Sequence, residues 1–366
     1  MKILNIAAAV AMFACPTLAK APNAQNVVVF EQEGRFGGWP ANHGIWSWGD
    51  EILVGFEVGY FRPSRQGHSI DYTRPAEHVL ARSLDGGLSW KIEKPEGLRP
   101  PPGQKVAGVP TGSGGKPIHD CPGGIDFTDP NFLLTARMTS INDGVSRYYY
   151  SLDRGKSWEG PCALPNFGQP GIAARTDYLV NGKHDLTMFL TAAKSNRKEG
   201  RVICVRTRDG GKTWKFVSFV TPEPEGDEYA IMPASVRLDD KTILTAVRYR
   251  KFIDTYLSND DGYTWKRLGR PAPETGGNPP SLVKLRDNRL VLIYGRRLEP
   301  FGVRARISAD QGRAWSDEIV LREDGGSWDL GYPRTVQRQD GKLVSVYYYN
   351  TKEHPERFIA GTIWEP

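Results

Sequence analysis

The chain has 366 residues, 39% apolar, 11% aromatic and 25% charged, with 40 Gly, 27 Pro and 10 Trp. That is enough apolar material for a real core, and the turn formers point to many short strands. The formal charge of +6 is spread along the sequence, and Lys2 and Lys20 lie in a leader, leaving about +4 on the rest; this mild excess suits an anionic ligand and excludes a nucleic-acid role built on a basic patch.

The N-terminus reads as a signal peptide over residues 1–21, so the protein is expected to be exported, periplasmic or secreted. Lys2 is the basic start, Ile3 to Ala14 the apolar run and Ala19-Lys20-Ala21 an A-x-A cleavage site. The apolar run falls short of the roughly 20 residues that span a bilayer, and no membrane span is expected elsewhere. Cys15 is a poor lipoprotein site because Phe13 breaks the required spacing. Beyond the leader stand Cys121, Cys162 and Cys204. Two arrangements fit: a Cys121–Cys162 bridge with a buried Cys204, or three buried thiols. No Cys/His spacing resembles a zinc site, and no metal or organic cofactor is expected.

Past the leader, six X-Pro dipeptides each open a pair of β-branched and aromatic runs around a polar turn, the pattern of a hairpin. Trp39-Pro40 leads into residues 43–59, Cys121-Pro122 into 123–138 and Gln169-Pro170 into 171–194. Met232-Pro233 leads into 234–250, Asn278-Pro279 into 280–297 and Tyr332-Pro333 into 334–350. After each of the first five comes a short phrase, Ser/Thr-x-Asp-x-Gly-x-Ser/Thr/Ala-Trp. It stands at Ser83–Trp90, Ser151–Trp158, Thr207–Trp214, Ser258–Trp265 and Ser308–Trp315. In such a turn the Asp accepts backbone N–H groups ahead of it, the Gly supplies φ > 0 and the Trp caps the turn.

Five copies make an internal repeat, and the repeat sets the architecture. The reading is an all-β, six-bladed β-propeller of four-stranded antiparallel blades, one domain over residues 22–366. The sixth unit lacks the Asp turn. The C-terminal run 357–366 would be its third strand, and residues 26–34 would close it from the other end of the chain.

Strand direction then sorts the residues. The Asp turns join third to fourth strands and fall on the face away from the central pocket, so their Asp residues are expected to be structural. The pocket face collects the starts of first strands, among them Arg35, Trp39, His119, Glu228, Asn278, Asp329 and Tyr332. It also collects the ends of second strands, among them Glu57, Arg137, Lys194, Arg248, Arg250, Arg296, Arg297 and Tyr348. A long loop after blade one adds Arg65, His68 and Asp71. A ring of Arg, Tyr and carboxylates at a channel mouth is what an anionic sugar needs, since the Arg fork matches a carboxylate.

With these motifs the chain resembles the sialidase (neuraminidase) superfamily, six-bladed propellers with Asp-box, or BNR, repeats. Asp329-Leu330-Gly331-Tyr332, followed by Gln339-Asp340-Gly341, is similar to that family's nucleophilic Tyr segment. Ala246-Val247-Arg248 is similar to its Asn-Val-Arg strand end, and Glu57 stands at its strand-two Glu. Gly37-Gly38-Trp39-Pro40 stands where the family has Phe-Arg-Ile-Pro, so Arg35 would have to substitute from the preceding turn. The family's fourth-unit Glu falls near Met232, leaving Glu228 to reach in from four residues earlier. Arg296 or Arg297 would complete the Arg clamp.

The resemblance implies an exo-acting glycoside hydrolase that removes a terminal acidic, sialic-acid-like sugar from an oligosaccharide or glycoconjugate. Its nucleophile would be Tyr332, with Glu228 or Asp329 taking the phenol proton. Asp71 would be the acid, with His68 as its rival. Arg248 with Arg35 or Arg297 would grip the substrate carboxylate. Two other readings stay open. A polysaccharide lyase acting on uronates could use His43, His68, His119 and Tyr332, and a non-catalytic glycan-binding propeller would need only the fold.

Overall fold

The computed structural model describes residues 19–101, 105–106, 109–110 and 114–366; most of the expected leader, residues 1–18, lies outside the described residues. Six antiparallel sheets stand around a central axis. Blade four shows the plan: Ala230–Arg237 is innermost, then Ile243–Tyr249, Ile253–Ser258 and, outermost, Lys266–Ala272. Blade five repeats it with Pro280–Lys284, Leu290–Arg296, Gly302–Ser308 and Ile319–Arg322, and Ala19–Lys20 adds a short parallel edge strand outside Ile319–Arg322. Blade six takes Gly331–Gln337, Leu343–Tyr349 and Phe358–Trp364 from the C-terminal end, and its outer strand is Gln25–Phe30. The ring is therefore closed by pairing the two ends of the chain. No helix among the described residues is long and apolar enough to cross a membrane.

The strands read as they do because of where each lies. A second strand is covered on both faces by neighbouring blades, and its sequence is nearly continuous apolar, as in Leu290–Arg296 with every residue but the last buried. The outermost strand has one face in water, and Lys266–Ala272 is accordingly polar and half exposed. The core is thus a series of inter-blade layers. One joins blades one and six through Phe56, Val79, Val344 and Ile359.

The Asp turns pin those layers. In the first, Asp85 accepts from Ser89 N (2.9 Å), Ser89 Oγ (2.5 Å) and Ser83 Oγ (2.7 Å), and Trp90 Nε1 donates to Gly87 O (2.9 Å). The Gly has two reasons to be there. Gly155 has φ +79°, and a Cβ on it would lie 2.6 Å from Leu53 of the preceding blade. Backbone bonds from Gly86 to Asp50, Gly210 to His184 and Asp261 to Lys241 tie three Asp turns to the hairpin turn of their own blade. Both kinds of turn therefore lie at one end of the propeller, and the first strands start at the other.

Blade two departs from the plan. Its described strands are Leu133–Met138, Ser146–Ser151 and Glu159–Leu164, and the expected inner strand after Cys121-Pro122 is absent from the sheet. Residues 119–127 run along the outside instead. His119 bridges Cys162 on the outer strand, Gly124 N bonds Asp209 O and Phe127 N bonds Lys183 O. His119 is therefore remote from the channel, a correction to its expected place on the pocket face. Cys121, Cys162 and Cys204 are buried and unbridged.

The gap left inside blade two is filled from both sides. The inner strand of blade one, Arg35–Gly38 and Ile45–Trp48, is broken by the helical turn Pro40–His43. That of blade three, Ile172–Ala173 and Tyr178–Gly182, is broken at residues 174–177. The two insertions meet, with Thr176 N on Asn42 O (3.2 Å). They satisfy the bare edge of blade two through Thr135 Oγ1 to His43 O (2.7 Å) and Ala136 N to Thr176 Oγ1 (3.0 Å). An unpaired inner edge would otherwise leave buried polar groups without partners.

Candidate active site

At the strand-start end, a cavity of about 250 Å³ is walled by Trp39, His68, Arg175, Glu199, Arg248 and Tyr332, among others. Trp39 and Tyr332 in its wall, and Met232 behind it against Arg248, share one backbone device. Trp39, Met232 and Tyr332 each precede a proline and each has positive φ, 61°, 51° and 53°. The proline disfavours the right-handed helical region for its predecessor. The left-handed alternative costs a non-glycine residue of order 1 kcal/mol or more. The pairing register shifts at two of the three, between Ile231 and Ala234 and between Gly331 and Arg334. Asn278, fully buried, holds the Tyr332 turn by accepting Tyr332 N (3.0 Å) and donating to Leu330 O (2.8 Å).

The electrostatics centre on the Tyr332 hydroxyl. Arg248 Nη1 donates to it at 2.9 Å, and Arg248 Nη2 lies 3.3 Å from Tyr229 OH. The Arg297 guanidinium stands 5.3 Å from the Tyr332 ring centre and donates to Tyr348 OH at 2.8 Å. Burial pushes the Tyr332 hydroxyl up, but Arg248, then Arg297 and Arg175, outweigh it and hold it below the usual tyrosine range. Arg175 is paired with Glu199 (2.5 Å). Arg248 and Arg297 are buried, and neither has a carboxylate within ion-pairing distance among the described residues. Trp39 Nε1, Asn42 Oδ1, Arg175 Nε and Arg248 Nε are buried without a protein partner.

Across the cavity, His68 Nδ1 lies 2.5 Å from Asp329 Oδ1. Asp329 also accepts Ser69 N (2.8 Å), Tyr348 OH (2.7 Å) and Arg357 Nε (3.0 Å). Burial works against its charge, yet His68, Arg357 and Arg297 keep it ionised well below the usual carboxylate range. Burial also holds His68 below the usual imidazole range, against the pull of Asp329. At neutral pH this is an oriented, uncharged imidazole whose Nδ1 is occupied by Asp329.

Of the residues picked from sequence, the structure gathers Tyr332, Arg248, Arg297, Asp329 and His68, with Trp39, Asn278 and Tyr348 beside them. Asp71, Glu228, Arg35 and Glu57 lie elsewhere. Asp71 is at the surface, accepting from Thr73 N (2.9 Å) and Thr73 Oγ1 (2.6 Å), which lower its pKa, so it is no protonated pocket acid. Glu228 is exposed and paired with Arg250 at 3.2 Å. Met232 takes the inner place, with Sδ 3.3 Å from Arg248 Nη1. Arg35 lies against blade one, bonded to Gly59 O (2.7 Å) and 3.4 Å from Glu77. Glu57 is fully buried behind the first strand with no hydrogen-bond partner, and burial raises it to about 8. Arg175, Glu199 and Tyr229 were not singled out. Glu199 starts a third strand, which begins at the end where the second strand finishes, so strand direction puts it on the pocket face. Arg175 lies in the blade-three insertion, whose one trace is the polar run Arg175-Thr176-Asp177 inside an apolar strand.

No curated protein matches the chain. Among solved structures, a protein of unknown function from Dyadobacter fermentans superimposes with TM-score 0.71 at 22% identity, over 94% of this chain and 99% of that one. A mutant Trypanosoma rangeli sialidase displaying trans-sialidase activity gives 0.61 at 14% identity, covering 95% of this chain and 60% of the trypanosomal one. A Penicillium chrysogenum alpha-L-arabinanase complexed with arabinobiose gives 0.60 at 15% identity, over 93% and 98%. At such identities the likeness is one of fold: a sialidase-like propeller that also carries glycoside hydrolases. Residues 132–345 match the BNR repeat-like domain, and the chain belongs to that family.

Proposed function

We propose that the protein is an exo-acting glycosidase that removes a terminal acidic sugar, with Tyr332 as nucleophile. The observation that carries this reading is the pair of buried guanidinium groups, Arg248 and Arg297, that flank Tyr332 without a carboxylate of their own. Buried cations need a counter-charge, and a substrate carboxylate, with the Tyr332 phenolate, supplies it. A tyrosine is a poor nucleophile at its ordinary pKa near 10. Here the cations favour the phenolate directly, which replaces the carboxylate partner that Met232 displaces. His68, whose Nδ1–H is held by Asp329, keeps Nε2 as a base, placed to take a proton from the water that releases the sugar from Tyr332, while the leaving oxygen takes its proton from solvent.

One observation favours a second reading, a uronate lyase. With Met232 at the inner position and His68 uncharged, Tyr332 and His68 are two bases beside a carboxylate clamp. That arrangement would suit removal of a proton next to a carboxylate. Incubation with sialylated and uronate-terminated oligosaccharides, with product masses recorded, separates the two. Hydrolysis adds water across the cleaved bond, whereas elimination gives an unsaturated product one water lighter. A panel left intact by the wild-type protein would overturn both.

A further inference from the structure

A second hollow, about 380 Å³, opens at the opposite end of the propeller where blade three meets blade four. Arg206, Arg208, Lys215, Phe216, Val217 and Tyr263 are among its walls. Two features set it apart from ordinary surface. The first is aromatic exposure: Tyr263 is 54% and Phe216 39% exposed. Tyr263 occupies the Asp-turn position that elsewhere holds Leu88, Lys156, Lys212 and Arg313. The turn itself is closed by Ser258, Asp260 and Thr264, so it does not require an aromatic there. Phe216 is braced edge-on against Phe219 at 4.9 Å, and Phe219 carries Arg201 over its ring at 3.3 Å.

The second feature is charge. Arg206 is neutralised by Asp185 and Asp261 (2.6 and 2.5 Å). Arg208 is 63% exposed, its nearest acid, Asp185, is 3.7 Å away, and its Nη2 lies 3.5 Å from Tyr263 OH. Lys215 is exposed. The lone acid among the lining residues, Asp209, is committed to Thr207 and Thr213 of its own turn. What faces solvent is therefore two exposed rings, Phe216 braced by Phe219 and Tyr263 touched by Arg208, beside the exposed Lys215 and an Arg208 that shares Asp185 with Arg206. Sugar C–H faces pack on such rings, and a sugar carboxylate or sulfate pairs with guanidinium and ammonium groups. A stable protein partner would need about 800 Å² on each side, far more than this trough offers.

We infer that this groove is a non-catalytic binding site for an acidic carbohydrate chain, holding polymeric substrate while the pocket at the other end acts on chain termini. The acidic character assigned to the ligand rests on the proposed function. The test is affinity electrophoresis through gels containing hyaluronan or polysialic acid, with dextran as the neutral control. Phe216→Ala/Tyr263→Ala should weaken retention by either acidic polymer about tenfold, the loss expected from removing aromatic contact. It should lower thermal stability only slightly, by the lost Phe216–Phe219 contact, and leave turnover of any small acidic substrate the wild type cleaves unchanged. Arg208→Ala should weaken retention and flatten its salt dependence, and Tyr332→Phe should be retained like wild type. Equal retention of the wild type and Phe216→Ala/Tyr263→Ala, equal retention by dextran, or no wild-type retention would overturn the inference. Retention that depends on Phe216 and Tyr263 in a protein that cleaves no acidic glycan would leave the groove standing and remove the pocket reading.

Discussion

The two ends of the propeller treat polar groups in opposite ways. At the Asp-turn end the carboxylates are saturated by neighbouring N–H and O–H groups. Asp153, for example, accepts from Ser157 N, Ser157 Oγ and Ser151 Oγ within 3.0 Å. Each such group is depressed in pKa by its hydrogen bonds, against a burial effect in the other direction. At the other end the backbone is held in left-handed conformations before proline, two guanidinium groups lack acids, and a carboxyl, Glu57, is buried with no partner at all. Local geometry that satisfies itself can be copied from blade to blade and stabilises the fold. Geometry left unsatisfied has to be held by its surroundings, and it is where a ligand finds partners.

The contrast breaks if the pocket groups prove inert. Tyr332→Phe should lower turnover by about 10³-fold while leaving the urea midpoint nearly unchanged, because the hydroxyl bonds Arg248 and Arg248 keeps Tyr229. Turnover equal to wild type would refute the nucleophile assignment.

Glu57 gives the next largest effect, on stability. Its folded pKa of about 8 lies above the ordinary carboxylate value, so the folded protein keeps a proton that the unfolded chain has released. Stability is then fully present below about pH 4 and declines as pH rises toward 8, by up to about 1.4 kcal/mol per unit. Glu57→Gln removes that dependence. Against wild type, it should be more stable by roughly 4 kcal/mol at pH 8 and no more stable at pH 4, measured by urea unfolding at both pH values. Parallel curves would show that Glu57 ionises freely in the folded state.

At the saturated end, Asp153→Ala should cost about 1–2 kcal/mol from its lost hydrogen bonds and leave kcat/KM untouched. A change in kcat/KM without a change in stability would mean that the two ends are not functionally separate.

The same contrast explains how much could be read from the amino acids alone. The Asp-turn end was legible because its rules are local: eight residues contain the acceptor, the donors and the Gly. Five copies then fixed the blade count and the closing strand. The pocket is assembled from residues far apart in the chain, and it was legible where strand direction sufficed, as for Tyr332, Arg248 and Asp329. It failed where a neighbour decides. Asp71 and His68 share a loop, but Asp71 finds Thr73 two residues on and stays outside, while His68 turns in against Trp39 (5.1 Å) and Trp328 (5.8 Å). Residues 123–127 read as a strand on their own. Their displacement from blade two follows from the insertions of blades one and three, which no local pattern reveals.

Met232 allows the finest test of the pocket's electrostatics. Its Sδ sits 3.3 Å from Arg248 Nη1, so a carboxylate there would pair with the guanidinium that now lowers the Tyr332 pKa. Met232→Glu therefore puts a negative charge beside the phenol, and the phenolate becomes harder to form. If Tyr332 acts as phenolate, activity rises with pH through its pKa. The acid limb of the kcat/KM profile should then move to higher pH by about one unit, the size of one nearby charge at a partly screened distance. KM for an anionic substrate should rise as well, since Arg248 is now occupied. A limb that stays in place would mean that Tyr332 never needs to ionise. A limb that moves to lower pH would mean that a carboxylate at this position takes the phenol proton more readily than the guanidinium groups alone can release it. The cation-held phenolate would then be the wrong account of Tyr332.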